Sequence, residues 1–190
     1  MLTGNILEFV MRITFLVSTL LLPCFAYAKE PMLRTAPSPT GTSITVSASS
    51  VKTRFAIRDQ AGNTHVIWLT RDTTVAPKTQ PARVEIVGEI KGVAIIFVDT
   101  YPSMPGGMSY CQSGEEQFLR IISIAKNPAK ETFRVKTTSC RDNIELASPG
   151  IEWTAPSSTL HIHWLMGPVT KGKLEEKVLR IKSDGQPEQK

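Results

Sequence analysis

A series of short segments in which apolar and polar residues alternate constrains the fold of this chain more than any other feature. They run from Ile44 to Met166, are rich in β-branched residues, and are separated by closely spaced Gly, Pro and Asn turns. Period-two alternation of this kind is typical of half-buried strands. Residues 93–98 are apolar on both faces, which predicts a strand at the centre of its sheet. A long coiled coil and wholesale disorder are excluded, because charge is modest and apolar residues recur along most of the chain.

Turns between these segments predict the fold class. The turns at 59–63 and 89–92 both contain Gly and each separate two alternating segments, so we expect two β-hairpins. About ten short strands and few helical patterns predict an all-β antiparallel sandwich or barrel-like single domain. Residues 174–182 fit both helical and strand spacing. We favour a strand there and leave one short C-terminal helix open.

The N-terminal part of the chain differs from the remainder. Residues 13–28 carry no charge, follow Arg12, and end with alanine at positions 26 and 28. A basic flank, a short apolar core and an Ala-x-Ala end are typical of a secretory signal peptide. A membrane anchor and a lipid-modified Cys24 are the alternatives. The expected organisation is a signal peptide at 1–28, an extended Pro-rich leader at 29–43, a β domain at 44–183 and a frayed tail at 184–190.

Export and charge together limit the possible partners. A cleaved signal peptide places the mature chain in the periplasm or outside the cell, with no membrane span remaining. The 22 basic and 17 acidic side chains give a net charge of +5, and the basic residues are spread along the sequence. Nucleic acid is not an expected partner, because there is no basic cluster interleaved with aromatic residues.

Two of the three cysteines, Cys111 and Cys140, remain after cleavage of the signal peptide. In an oxidising compartment such a pair predicts a disulfide. Cys111 precedes one predicted strand and Cys140 follows the next, so an antiparallel hairpin would bring both to its open end. The alternative is a reactive thiol at Cys111. No sequence signature for a neighbouring base supports that alternative.

The three histidines are the sharpest chemical feature. His161 and His163 are two residues apart, so on a strand both imidazoles project from the same face. With His65 they would complete a three-nitrogen zinc set, and a metal-dependent hydrolase is one hypothesis. The simpler interpretation is that His161 and His163 lie on the wetter face of an amphipathic strand. We therefore expect no metal and keep the three residues as metal-ligand candidates.

The Pro- and Gly-rich segment 101–114 is the candidate recognition loop. It is longer than usual, and long loops are often functional. Its tyrosines and methionines would form an adaptable contact surface, tethered by the disulfide. The alternative is a structural crossover between two sheets. The candidate contact residues are Tyr101, Met104, Met108 and Tyr110.

No phosphate-binding loop, dinucleotide fingerprint, zinc-protease motif or calcium loop occurs in the sequence. We therefore lean away from an enzyme and expect no cofactor. The leading hypothesis is an exported, non-enzymatic binding protein, inhibitor-like or immunity-like, that recognises a protein or an envelope ligand. The alternatives are the metal-dependent hydrolase and a structural envelope component that associates through sheet edges.

Overall fold

The described chain is built from three antiparallel sheets of four strands each. The computed structural model describes residues 33–34, 38–48, 52–77, 79–104, 114–170 and 173–190. Within each sheet, neighbouring strands are also consecutive in the sequence, so every sheet is a simple meander. The described residues contain no α-helix, and none of their helices is long and apolar enough to cross a membrane.

The strands follow one another along the chain in three groups. The first sheet contains β1 (Leu33–Arg34), β2 (Ser43–Ala48), β3 (Lys52–Arg58) and β4 (Thr64–Thr70). The second sheet contains β5 (Arg83–Ile90), β6 (Ala94–Pro102), β7 (Glu115–Ser123) and β8 (Lys130–Ser139). The third sheet contains β9 (Glu145–Thr154), β10 (Thr159–Met166), β11 (Glu175–Ile181) and β12 (Pro187–Gln189). A single 3-10 turn, Ala155–Ser157, joins β9 to β10.

The second sheet lies between the other two and is buried on both faces. Ile95 and Phe97 of β6 belong to one apolar cluster, shared with the first sheet. Ile96 and Val98 belong to another cluster, shared with the third sheet. Because successive side chains of a strand point to opposite faces, β6 must be apolar throughout. The covering residues are Ile44, Val46, Phe55, Ile57, Ile67 and Leu69 from the first sheet, and Leu160, Ile162, Trp164, Leu179 and Ile181 from the third.

The all-β prediction is confirmed, and so are both predicted hairpins. β3 pairs with β4 and β5 pairs with β6, in each case across the expected turn. Gly62 and Gly92 occupy those turns at φ of +86° and +68°, which side chains with a Cβ rarely adopt. The arrangement in three layers was not predicted, because alternation shows which face of a strand is apolar but not what covers it.

The C-terminal region is more ordered than the sequence suggested. Residues 175–181 form strand β11, as favoured, rather than a helix. The expected frayed tail instead forms β12, which pairs with β11. Gly185 makes the turn between them at φ +77°. Side-chain hydroxyls of Ser123 and Thr132 donate to the carbonyls of Asp184 and Gly185, which attaches this turn to the second sheet.

Two further boundaries differ from the expectation. The Ser-Pro-Gly sequence at 148–150 is typical of a turn between strands, but β9 continues through it, with an irregular register opposite β10. Part of the expected leader is ordered, because β1 pairs with β2. The predicted signal peptide at 1–28 lies outside the described residues.

Candidate functional site

The candidate recognition loop closes a hairpin within the second sheet, rather than crossing between sheets. β6 continues to Pro102, which lies opposite Glu115 at the start of β7. Tyr101 is therefore a strand residue, and only 2% of it is exposed. Its ring meets Phe118 edge-on, with centroids 6.1 Å apart, in a small cluster with Val75. This corrects the expectation that Tyr101 is a contact residue, since it belongs to the core.

The other three predicted contact residues, Met104, Met108 and Tyr110, do not define a contact surface among the described residues. Met104 is half-buried; its N–H donates to the carbonyl of Thr74, and its own carbonyl accepts from Arg141. Met108 and Tyr110 lie outside the described residues. The structure therefore shows how the loop begins, but places no contact surface along it.

A buried carboxylate ties the two ends of this loop to β8. Glu116 is fully buried and accepts hydrogen bonds from the hydroxyls of Ser103 (2.7 Å) and Ser139 (2.6 Å). Ser103 lies directly after β6, near the start of segment 101–114, and Ser139 is the last residue of β8. A buried carboxylate with two such donors is satisfied. Glu116 therefore has a structural explanation.

One of the two cysteines lies where the disulfide prediction requires it. Cys140 follows β8, and a Cβ built at Gly114 would lie 2.9 Å from its Sγ atom. Gly114 is three residues beyond Cys111. Cys111 itself lies outside the described residues, so the Cys111–Cys140 disulfide stays a prediction.

A cleft of about 640 Å³ is lined by residues that include Asp72, Lys136 and Asp142. The Lys136 ammonium lies 3.2 Å from Asp72, contacts Asp142, and is 3.9 Å from Glu116. Burial works to raise the pKa of Asp72, but hydrogen bonds from Thr74 and the charge of Lys136 outweigh it, so the pKa lies below its usual value. The Lys136 ammonium is therefore matched by carboxylates, whereas Arg134, the second cation that lines this cleft, forms no ion pair among the described residues.

A second charged group is buried between the first and second sheets. Arg120 donates to Asp99 (2.7 Å) and to Glu131 (2.6 Å), and Arg120 and Asp99 are both fully buried. Burial works to lower the pKa of Arg120, but the neighbouring Asp99 carboxylate outweighs it and raises the pKa above its ordinary value. Burial and the same carboxylate raise the pKa of Tyr101. Asp99, Arg120 and Glu131 lie on β6, β7 and β8, so these ion pairs join neighbouring strands of the second sheet, and the buried Arg120 and Asp99 are enclosed rather than open to a ligand.

The structure brings two of the three histidines together. His161 and His163 project from the outer face of β10, with their rings nearly parallel and their centroids 6.1 Å apart. His161 Nδ1 lies 3.6 Å from Glu176 Oε1, and His163 Nε2 lies 3.5 Å from Glu152 Oε2. All four side chains are at least partly exposed. Neither carboxylate was predicted from the sequence, because no short spacing links it to the histidines.

His65 is not part of that cluster. It lies on β4 in the first sheet, and its Nε2 is 2.9 Å from Asp59 Oδ2. Burial works to raise the pKa of Asp59, but hydrogen bonds from His65 and Asn63 outweigh it and hold the pKa below its usual value. His65 thus stabilises the β3–β4 turn. The three-histidine set on which the hydrolase hypothesis depended is not assembled.

A groove of about 490 Å³ runs between the free edges of the first and second sheets. One wall is β4, and the other is the beginning of β8. On β4, Val66 and Trp68 are 41% and 52% exposed, although large apolar residues in strands are usually covered. On β8, Lys130 and Arg134 are exposed, and within the described residues neither forms an ion pair. The groove therefore combines apolar surface with two cations that form no ion pair among the described residues, beside Glu131, whose carboxylate pairs with Arg120.

No family model matches this chain, and no curated protein or solved structure matches it.

Sequence reasoning missed the groove, although part of its signal was present. Residues 66–69 are all apolar, so this strand carries apolar side chains on both faces, and Trp68 shares one face with Val66. The second apolar face was the signal for an exposed apolar surface. The positions of Lys130 and Arg134 across the groove depend on the packing of two sheets, which no local pattern reveals.

Proposed function

We propose that this chain is an exported, non-enzymatic binding protein that captures an extended, acidic segment of a partner protein along strand β4. The observation that carries the proposal is the free edge of β4, which combines an exposed Trp68 with the unpaired cations of β8. An added strand would extend the first sheet and occupy the groove.

The backbone of β4 supports this mode of binding. β4 pairs with β3 on one side only, over all seven residues from Thr64 to Thr70. In an antiparallel pair, about half of the N–H and C=O groups of an edge strand point away from its partner. Natural proteins usually cover or charge such an edge to prevent association. β4 instead carries no Lys, Arg, Asp or Glu.

The charge and shape of the groove indicate the chemistry of the occupant. Lys130 and Arg134 would attract carboxylates of an added segment, and the net charge of +5 acts in the same direction. Trp68 offers a large apolar surface to side chains on the outer face of that strand. An extended segment that alternates acidic and apolar residues fits both features.

A direct test uses a fluorescent peptide of about eight residues that alternates Glu with Val and lacks proline. We expect Trp68→Ala to weaken its binding at least about tenfold, because exposed aromatic residues often dominate interface energies. Arg134→Glu should also weaken binding of the peptide, and its effect should be larger at low salt than at high salt, because salt screens charge interactions. Fluorescence anisotropy measures both, and Leu165→Ala is the matched control, since Leu165 is 48% exposed on the third sheet.

Backbone recognition is tested separately from charge. The same peptide carrying N-methyl groups at alternate residues keeps its charges but cannot pair as a strand. Loss of binding on methylation supports strand addition, whereas equal binding overturns it. Oligomers of the protein alone that depend on concentration and disappear in Trp68→Ala would also overturn it. They would show that β4 pairs with a second copy, as expected of a structural envelope component.

Export and the disulfide are part of the same proposal. The position of Cys140 beside Gly114 supports a bond to Cys111, because three residues can span only about 10 Å. Expressed in a bacterium with its own N-terminus, the protein should be recovered from the periplasm beginning at Lys29, with no thiol open to alkylation. Mass spectrometry measures both, and Cys140→Ser should expose one reactive thiol at Cys111. An intact N-terminus with both cysteines alkylated would contradict export and disulfide together.

A further inference from the structure

We propose that His161, His163 and Glu176 form a binding site for one divalent transition-metal ion, with Zn²⁺ as the best fit, on the outer face of the third sheet. Each of these residues offers one donor atom, and the three atoms lie within 4.8 Å of one another. The site is separate from the β4 groove, which belongs to the first and second sheets.

The pairing register of the third sheet places these side chains together. His163 of β10 lies directly opposite Glu176 of β11, and His161 lies directly opposite Glu152 of β9. Directly opposed residues on one face of an antiparallel pair have Cβ atoms about 4.5–5.5 Å apart. The core-facing neighbours, such as Ile162, hold β10 so that both imidazoles face outward. β10 and β11 therefore present one compact group of metal donors, with Glu152 of β9 beside it.

Two of the three distances between donor atoms are close to those that a bound ion requires, and all three lie within 4.8 Å. His161 Nδ1 is 3.6 Å and His163 Nδ1 is 3.9 Å from the same Glu176 oxygen. A tetrahedral zinc ion with bonds of about 2.0–2.1 Å holds its ligand atoms about 3.3 Å apart. Small side-chain rotations, which half-exposed residues make easily, close the difference.

A second carboxylate supports the same interpretation independently. Glu152 Oε2 lies 3.5 Å from Nε2 of His163, the ring nitrogen opposite the one that faces Glu176. Metal-bound histidines usually donate their other N–H to a carboxylate, which orients the ring and fixes its tautomer. Glu152 is placed to do this for His163. Two histidines with two neighbouring carboxylates indicate a metal site more specifically than an exposed pair of histidines does.

The donor set selects the kind of ion. Two imidazoles and one carboxylate suit Zn²⁺, Cu²⁺ or Ni²⁺, whereas Mg²⁺ and Ca²⁺ prefer sites made of oxygen ligands. Zn²⁺ takes the mixed set at tetrahedral angles and leaves its fourth position to water. An ion held this way would link β10 to β11.

The test uses protein purified without a polyhistidine tag, treated with chelator and titrated with ZnCl₂ in a calorimeter. We expect one ion per chain, and no comparable heat with MgCl₂. His163→Ala should weaken zinc binding by well over tenfold, and Glu152→Gln by about tenfold, as for other residues that orient a ligand. His65→Gln is the matched control, because His65 lies in another sheet, and it should leave zinc binding unchanged.

Circular dichroism confirms that each variant is folded, and the thermal midpoint gives a second measurement. Zinc should raise that midpoint in the parent protein and in His65→Gln, but not in His163→Ala. The proposal is overturned if folded His163→Ala binds zinc as tightly as the parent, or if MgCl₂ binds equally well.

Discussion

Replacing Arg120 by Ala is expected to lower the free energy of unfolding by about 3–5 kcal/mol, because it leaves buried charge without a partner. The Arg120 guanidinium donates to both Asp99 and Glu131, and the Asp99 side chain is fully enclosed. The guanidinium also lies 5.3 Å from the ring centre of Phe118. Urea denaturation followed by tryptophan fluorescence measures the loss.

Arg83→Ala is the matched control, since Arg83 pairs with Glu85 at 3.1 Å but both side chains are more than half exposed. An exposed pair of this kind contributes about 0–1 kcal/mol. If Arg120→Ala is too unstable to purify, Arg120→Lys keeps one cation and should lose less. Equal losses in Arg120→Ala and Arg83→Ala would show that the buried ion pairs of Arg120 do not stabilise the second sheet.

The sequence was sufficient to predict the strands, but not to predict which sheets pack against one another. Residues 93–98 are apolar on both faces, and this pattern correctly indicated a central strand. A strand apolar on both faces must also be covered on both sides, which is the reason that β6 lies between two sheets. The strands that pack on each face of β6 are determined by contacts between residues distant in sequence. The alternation of apolar and polar residues carries no information on those contacts.

Asp99 and Arg120 are charged residues in apolar surroundings, and the sequence alone did not show that they pair. Asp99 follows five apolar residues of β6, and Arg120 has two apolar residues on each side in β7. Two opposite charges in such strands are expected to pair when the strands become neighbours. To predict this pair, one must know that β6 and β7 are adjacent and that Asp99 lies opposite Phe118 in the register.

The candidate sites were harder to predict than the fold. Tyr101 was assigned to a loop because prolines and glycines follow it, yet β6 continues through Pro102 and buries the tyrosine. His161 and His163 were correctly placed on one face of a strand. Glu152 and Glu176 lie on two other strands, so only the pairing register brings them to the histidines.

Trp164→Ala is expected to lower the free energy of unfolding by about 3–5 kcal/mol, the usual cost of truncating a buried aromatic residue. Trp164 is 1% exposed and belongs to the apolar cluster shared by the second and third sheets. Its indole N–H also donates to the carbonyl of Lys136 on β8, at 3.3 Å. The side chain therefore joins the third sheet to the second by both packing and a hydrogen bond.

Two companion variants separate these contributions. Trp164→Phe removes the N–H together with the five-membered ring, so its loss combines about 0.5–1.5 kcal/mol for the hydrogen bond with a smaller packing loss than that of Trp164→Ala. Trp68→Ala removes the same kind of side chain from an exposed strand, and it should stay within about 0.5 kcal/mol of the parent. If Trp164→Ala lowers the free energy of unfolding no more than Trp68→Ala does, the three-layer packing is contradicted. A large loss from Trp164→Ala alone supports a third sheet fixed firmly enough to hold His161 and His163 on its outer face.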